Sequence, residues 1–204
     1  IKTGYHEGPA TFFDNDSSVI FTRNNFTKAE LRINKSKVHV KGAEAVESQE
    51  GINKLKLFTS QLDQEGNWSV PQPLWFNSDE FSTGHPTISK DGKKLYFSSD
   101  RPGSVGKSDL YVSIWNGTKW GEPKNLGKDI NTEAAELFPF IDDEDVLYFA
   151  SDGREGLGGL DIFMVDLKKS NAEVRNMGFP INTTADDFAL ILKDRDGLKE
   201  GFFS

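Results

Sequence analysis

The stretch Leu95–Val112, LYFSSDRPGSVGKSDLYV, is written a second time, loosely, as Leu147–Val165, LYFASDGREGLGGLDIFMV. The copies are in register: Phe97 to Phe149, Asp100 to Asp152 and Asp109 to Asp161 are each 52 residues apart. The echo runs beyond the phrase. Pro86-Thr87-Ile88 answers Pro139-Phe140-Ile141 at a spacing of 53, and GKDINT (Gly127–Thr132) answers GFPINT (Gly178–Thr183) at 51. Asn77, in WFNSDE, lies 54 residues before Asn131, and Trp68 and Trp120, each with a proline three residues on (Pro71, Pro123), are 52 apart. An earlier copy opens at Gly8–Asn24 and a later one closes at Phe188–Ser204. A period near 50 residues is the mark of a repeat architecture, in which each unit buries its apolar faces only by stacking on its neighbours.

Each unit reads as four short strands. In the second, strand a is His85–Ser89, strand b Lys94–Ser99, strand c Asp109–Trp115 and strand d Lys119–Leu126. The turns between them are Lys90-Asp91-Gly92 and the hairpin signal Asn116-Gly117. Aromatic and β-branched residues fill the runs, and Gly, Asn, Asp and Pro separate them. Apart from one inserted segment, no stretch sustains a 3.6-residue apolar period. Four-stranded units of this length are the blades of a β-propeller, which shields its sheet edges by radial repetition. The fold class expected is all-β. Blades should span about 4–80, 81–134 and 135–185, with a partial fourth at 186–204 and an insertion at about 28–53. Three and a half blades do not close a comfortable ring, because propellers have about 4–8, so the chain is expected to be part of a larger propeller. The opening IKTGYHEGP lacks the basic and apolar regions of a signal peptide, and a start inside a longer protein is the expectation.

HPTISKDGKKLYFSSDRPGSVGKSDLYV, INTEAAELFPFIDDEDVLYFASDGREGLGGLDIF and YHEGPATFFDNDSSVIFTRNNF resemble the WD40-like propeller repeats of OmpA-family proteins from Bacteroidota. The resemblance covers nearly the whole chain apart from residues 28 to 53, and weakens in the last unit, where Ala189 stands for the strand-a proline. It implies a place at the periplasmic face of the outer membrane, alongside helical repeats and a peptidoglycan-binding domain, neither of which is in this sequence. Some such proteins belong to the type IX secretion and gliding machinery, and membership of that group is what the resemblance implies.

Propeller topology sends the a–b and c–d turns to one side, and the b–c loops and d–a connections to the other. Candidate binding residues on the second side are Asp100, Arg101, Asp152 and Arg154, in the b–c loops. Asp and Ser ahead of a glycine turn also hydrogen-bond their own backbone, so a structural role competes there, as it does for Asp109 and Asp161. Just ahead of strand a stand Glu7, Glu136, Asp186 and Asp187, with His6 and His85 nearby. Converging blades would make these an acidic rim able to hold a cation or a basic segment, or simply a solvated one.

Several chemistries find no support. The acidic turns DNDSS, DDED and KDRDG miss the EF-hand spacing and align with the a–b hairpin turn, so no bound metal and no cofactor is expected. There is no H-E-x-x-H, nucleophile elbow or phosphate loop. SSDRPG approaches the sialidase Asp box Ser-x-Asp-x-Gly-x-x-Trp but lacks its tryptophan. Zero cysteines exclude disulfides and thiolate sites. A net charge of −8 and a pI near 5.0 argue against a nucleic-acid surface. No apolar run reaches the roughly 20 residues of a spanning helix.

The irregular feature is the insertion. Phe21 lies 76 residues before Phe97, so the first unit is about 24 residues longer than its neighbours, the excess falling in Thr27–Asn53 between strands b and c. Lys28, Arg32, Lys35, Lys37 and Lys41 make its first half basic; Glu44, Glu47 and Glu50 make its second half acidic. Such a loop is either a contact or a solvated excursion, and removing Lys28–Glu50 is expected to leave folding intact. The combined expectation is a non-enzymatic scaffold binding other envelope or secretion-system proteins, with peptidoglycan reached only through a domain outside this chain. The alternatives are a propeller that binds glycan or peptidoglycan fragments and, behind it, a propeller glycosidase pairing carboxylates across the axis.

Overall fold

The computed structural model describes residues 7–25, 30–34, 37–41, 45–196 and 198–204, with residues 7, 30–34, 37–41 and 194–195 described through their backbone alone. Among them there is no helix, and three four-stranded antiparallel sheets follow one another along the chain. The first contains β1 (Glu7–Phe13), β2 (Ser18–Asn24), β5 (Leu55–Gln61) and β6 (Gln72–Pro73), in that order. The second contains β7 (Thr83–Ile88), β8 (Lys94–Ser99), β9 (Asp109–Ile114) and β10 (Lys124–Asn125). The third contains β11 (Glu136–Ile141), β12 (Val146–Ser151), β13 (Asp161–Asp166) and β14 (Arg175–Asn176). A final pair, β15 (Ile191–Arg195) and β16 (Leu198–Phe202), repeats the first two strands of a blade. The architecture is a β-propeller: three full blades and the inner half of a fourth.

The outermost strand is shorter than the sequence suggests. Lys119–Leu126 yields only the two-residue β10, joined by an isolated bridge between Trp115 and Trp120. The same bridge forms between Leu62 and Trp68 in the first blade, so the two tryptophans 52 residues apart do occupy equivalent places.

The middle strands carry the core because both their faces are covered. All six residues of β12 are buried, and its near-continuous apolar run is what burial on two faces requires. One cluster joins Ile20 and Leu57 of the first blade to Leu95, Phe97 and Tyr111 of the second; another joins Tyr96 and Leu110 to Leu147, Phe149 and Phe163 of the third. The core therefore lies between successive blades, and no blade can fold as an island. Each fully buried Phe contributes roughly 2–3 kcal/mol by area alone.

The inner strand of each full blade is bulged at one place. The pairing of β7 with β8 slips between Gly84 and Thr87, and that of β11 with β12 between Leu137 and Phe140. There His85 (φ 55°), Phe138 (φ 50°) and, in the last unit, Ala189 (φ 57°) take the left-handed conformation. This is uncommon for side-chain-bearing residues and typical of a re-aimed bulge. The shared conformation aligns Ala189 with His85 and Phe138, so Leu190, not Ala189, stands where the other units carry Pro86 and Pro139. The freed His85 N–H is taken by Thr22 Oγ1 of the preceding blade at 2.9 Å.

The insertion contains a β-hairpin, β3 (Glu30–Asn34) with β4 (Lys37–Lys41), forming a sheet of its own outside the first blade. Its register sets Leu31 opposite Val40, Ile33 opposite Val38 and Arg32 opposite His39. Residues 45–53 behave differently. Val46 N–H donates to Asn25 O at 3.1 Å, Asn53 Nδ2 donates to Asn25 O at 2.9 Å, and Ser48 is buried. This part belongs to the blade, so removing Lys28–Glu50 as a block would damage it; the dispensable stretch ends before residue 45.

Candidate functional site: blade junctions and an inter-blade groove

The repeated glycine loop is an inter-blade contact. A Cβ on Gly106 would overlap Thr132 O and Ala134 O, and one on Gly158 would overlap Ala185 O. The b–c loop of one blade thus lies backbone-on-backbone against the chain entering the next, which only glycine permits. Hydrogen bonds fix the approach: Lys107 N–H to Ala134 O (2.8 Å), Glu136 N–H to Ser108 O (2.7 Å) and Asp187 N–H to Leu160 O (2.7 Å). Asp109 accepts from the Val105 and Gly106 amides at 2.6 and 2.9 Å and from Asn125 Nδ2 at 2.6 Å. Asp161 accepts from Leu157 and Gly158 at 3.0 and 3.1 Å, but Asn176 turns instead to Glu155 O, leaving Asp161 Oδ1 buried without a partner.

The Ile-Asn-Thr junction is a clasp. Asn131 Oδ1 accepts from Leu110 N–H (2.8 Å), while its Nδ2 donates to Leu110 O (3.1 Å) and to Asn125 Oδ1 (2.8 Å). Asn182 does the same to Ile162 and Asn176, and Asn77 to Leu57. The side-chain amide stands in for a strand: it holds the N–H of a strand-c residue and shares its carbonyl with the backbone N–H just past β10 or β14, Leu126 to Leu110 O and Met177 to Ile162 O, both 3.0 Å.

The acidic rim does not form from Glu136 and Asp187. Glu136 is fully buried and accepts from Thr132 N–H (2.9 Å), Thr132 Oγ1 (2.6 Å) and Ser151 Oγ (2.8 Å). Asp187 is buried and accepts from Thr183 N–H at 2.6 Å. Both carboxylates tie the junction threonine to the next inner strand. Asp186 accepts from Leu160 N–H at 2.9 Å. Glu7 is described by its backbone, opposite Arg23, and His6 lies outside the described residues. No group of three or more His, Asp or Glu side chains among the described residues is placed to hold a metal ion.

The loop-face residues are also engaged. Asp100 caps Ser82 N–H (2.5 Å) and meets Lys54 of the preceding blade at 3.2 Å; Asp152 caps Ala135 N–H (2.8 Å) and meets Lys107 at 4.0 Å. Arg154 donates to Asp129 O (3.2 Å) and Ile130 O (2.9 Å), reaching back into the previous junction. Arg101 is buried. Its Nε and Nη2 donate to Ser99 Oγ (3.1 Å) and Thr83 Oγ1 (3.3 Å), and the rings of Phe81, Tyr111, Phe97 and Phe76 stand 5.0–5.6 Å from Cζ. Of the insertion residues, Lys28 and Lys35 lie outside the described residues, while Arg32, Lys37 and Lys41 fall on β3 and β4.

His85 sits at the bulge between blades, stacked on Phe138 at 3.9 Å and 14°. Its Nδ1 accepts from Phe138 N–H at 3.3 Å and lies 3.1 Å from Ser98 Oγ. Accepting at Nδ1 requires the neutral ring with its proton on Nε2, and burial pulls the pKa from 6.5 to about 4. Above pH 6.5 folded and unfolded chains are both neutral here and stability is whole. As pH falls from about 6.5 towards about 4 the unfolded chain takes up a proton that the fold refuses, and stability declines. Melting temperature should therefore fall between pH 7 and 5, before most carboxylates titrate. His85→Gln, which keeps an acceptor but does not titrate, should flatten that slope; an unchanged slope would remove His85 from the account.

Tryptophans, read from sequence as repeat markers, build a feature that sequence reasoning missed. On the turn side, between the first and second blades, a groove of about 470 Å³ is bordered by Trp75, Trp115 and Trp120. Trp75 is 52% exposed and Trp115 37%, whereas Trp120 is buried and meets Trp115 edge-on at 5.3 Å and 64°. Trp75 Nε1–H donates to Trp120 O at 2.7 Å, and Lys119 Nζ stands 5.4 Å from the Trp75 ring centroid.

No protein-family model and no curated protein sequence matches the chain. Solved structures do. A puromycin-hydrolyzing peptidase from Mycobacterium tuberculosis matches over 96% of this chain and 25% of its own, with a TM-score of 0.53 and 13% identity. TolB from Acinetobacter baumannii matches over 96% of this chain and 39% of its own, with a TM-score of 0.47 and 13% identity. Prolyl oligopeptidase B from Galerina marginata matches over 84% and 21%, with a TM-score of 0.46 and 14% identity. The chain spans a quarter of the first peptidase's length, and at such identities the likeness is one of fold: a β-propeller, with no hydrolytic activity carried over.

Proposed function

We propose that this chain is a non-enzymatic interaction platform of a cell-envelope assembly, and that the hairpin β3–β4 is its contact element. The observation that carries this is the hairpin itself. The second and third blades run from strand b to strand c through a short glycine loop closed on the neighbouring blade, whereas the first interrupts that path with a separate sheet the ring does not need. Its sequence alternates Leu31, Ile33, Val38 and Val40 with Arg32, Lys37, His39 and Lys41, so apolar and basic positions alternate along both strands. A partner with an acidic, partly apolar surface would complement it. The loop-face residues Asp100, Arg101, Asp152 and Arg154 are assigned to blade cohesion, which removes the polar cluster that a hydrolase on this face would need.

Placement at the periplasmic face of the outer membrane, among type IX secretion or gliding proteins, is supported by the resemblance of the repeats to those of OmpA-family envelope proteins. Contact with peptidoglycan would come through a domain outside this chain. No helix among the described residues is long and apolar enough to cross a membrane.

The test is capture of partners from envelope extract by the parent and by a variant lacking residues 27–44, bridged with glycine. The variant should melt within about 2 °C of the parent, since loop shortening costs little, and should lose the captured partner. Replacing Lys28, Arg32, Lys35, Lys37 and Lys41 with Glu should reproduce part of the loss. Equal capture by all three proteins would refute the assignment.

A further inference from the structure

The fold does not require the tryptophans of the groove between the first two blades. One repeat further on, the places of Trp75, Trp115 and Trp120 are held by Asp129, Leu167 and Ala172. The matching backbone bonds, Trp115 N–H to Lys93 O and Leu167 N–H to Asp145 O, confirm that register. These three places at the next blade interface are thus filled without a ring, and the tryptophan set is an addition to the repeat.

The added rings are arranged for a ligand's flat face. The hydrogen bond from Nε1 to Trp120 O and the ammonium of Lys119 hold Trp75 in one orientation, so little freedom is lost when something stacks on it. With its only donor engaged, Trp75 cannot offer N–H to a peptide carbonyl, the usual companion of stacking in the recognition of proline-rich segments. It offers a π-face alone. Around the rings lie Thr59, Gln61 and Thr118, with Asp14 and Asp91 balanced by Lys93 and Lys119. Two carboxylates against two ammoniums leave the groove with no net charge, which favours neither an anion nor a cation. Its volume of about 470 Å³ falls within the range of small-molecule sites.

We propose that this groove binds a short uncharged oligosaccharide, one pyranose C–H face stacking on Trp75 and a second sugar on Trp115. The Asp and Gln oxygens, the Thr hydroxyls and the Lys ammoniums would take and give hydrogen bonds to the sugar hydroxyls. The site lies on the turn side, opposite the b–c loops, so a glycan and a protein bound through β3–β4 need not compete.

The test follows the indole N–H resonances of the four tryptophans in the intact chain, titrated with cellohexaose, chitohexaose or xylohexaose to about 10 mM, a ceiling suited to weak sites. Saturable movement of the Trp75 and Trp115 signals, with Trp68 unmoved, is the expected result with at least one sugar. Trp75→Ala and Trp115→Ala, each checked for the parent's melting profile, should weaken binding about tenfold or more, and Leu157→Ala on the opposite side should not. Should Trp75→Ala fail to fold, Trp115→Ala and the native titration still decide. No movement with any of the three sugars, movement of Trp68 alone, or movement with decaproline but not with the sugars would overturn the proposal.

Discussion

Replacing Asn131 with alanine is expected to lower the stability of the chain by about 2 kcal/mol. Asn131 is 1% exposed, and its removal strands the N–H of Leu110 in the interior between two blades, while Leu110 O keeps the Leu126 N–H at 3.0 Å and Asn125 Oδ1 keeps the Gly127 N–H at 2.8 Å. A buried group left without a partner costs roughly 1–3 kcal/mol. For a chain of this size each kcal/mol moves the melting temperature by about 2–4 °C, so a fall of about 4–8 °C is expected. Asn131→Asp separates bonding from packing. It keeps the shape and the acceptor for Leu110 N–H, but sets a carboxylate oxygen against Leu110 O and Asn125 Oδ1. It should fall nearly as far as the alanine variant. An aspartate variant that melts like the parent would show that the clasp contributes only volume.

Arg101→Ala should be comparably damaging. The guanidinium sits among four rings contributed by the first and second blades, with Ser99 Oγ and Thr83 Oγ1 as acceptors. Removing it leaves a space between rings that cannot close without moving the interface, together with the loss of cation–π attraction worth about 0.5–2 kcal/mol. A loss near 3 kcal/mol is expected, the low end of the range for emptying a packed aromatic site. Arg101→Lys should recover little of it. A compact ammonium can neither fill the space among the rings nor direct N–H groups to Ser99 and Thr83 together. Full recovery by lysine would mean that charge alone is at work there.

The repeat carried the architecture because it recorded spacing, and spacing survives in a linear text. Phe97 and Phe149 marked equivalent strands, and the structure places them in equivalent cores. Burial is not written in spacing. Glu136 and Asp187 formed a column in the alignment and were expected to be a rim; each proves to be the acceptor that closes a threonine turn. The signal lay in the text, since Thr132 and Thr183 stand four residues ahead of their carboxylates, but a local turn and an axial rim share that pattern. The hairpin could have been found from the strict alternation of Leu31 to Asn34 and Lys37 to Lys41. Trp75 was hidden for the opposite reason. It was read for its likeness to the other junctions, whereas what distinguishes it is the departure: tryptophan where the next unit has Asp129.

The central claim is that the polar residues of the repeated phrase hold blade to blade. The most direct measurement is the melting temperature of four single variants, Asp100→Ala, Arg101→Ala, Asp152→Ala and Arg154→Ala. Asp100 and Asp152 each cap a backbone amide of the junction, and Arg154 grips two carbonyls of the preceding one. The account predicts that all four melt below the parent, by about 2–4 °C where one or two exposed bonds are lost and by several degrees more at Arg101. Four variants that melt with the parent while partner capture fails would contradict it, and would return the b–c loops to the role of a binding face.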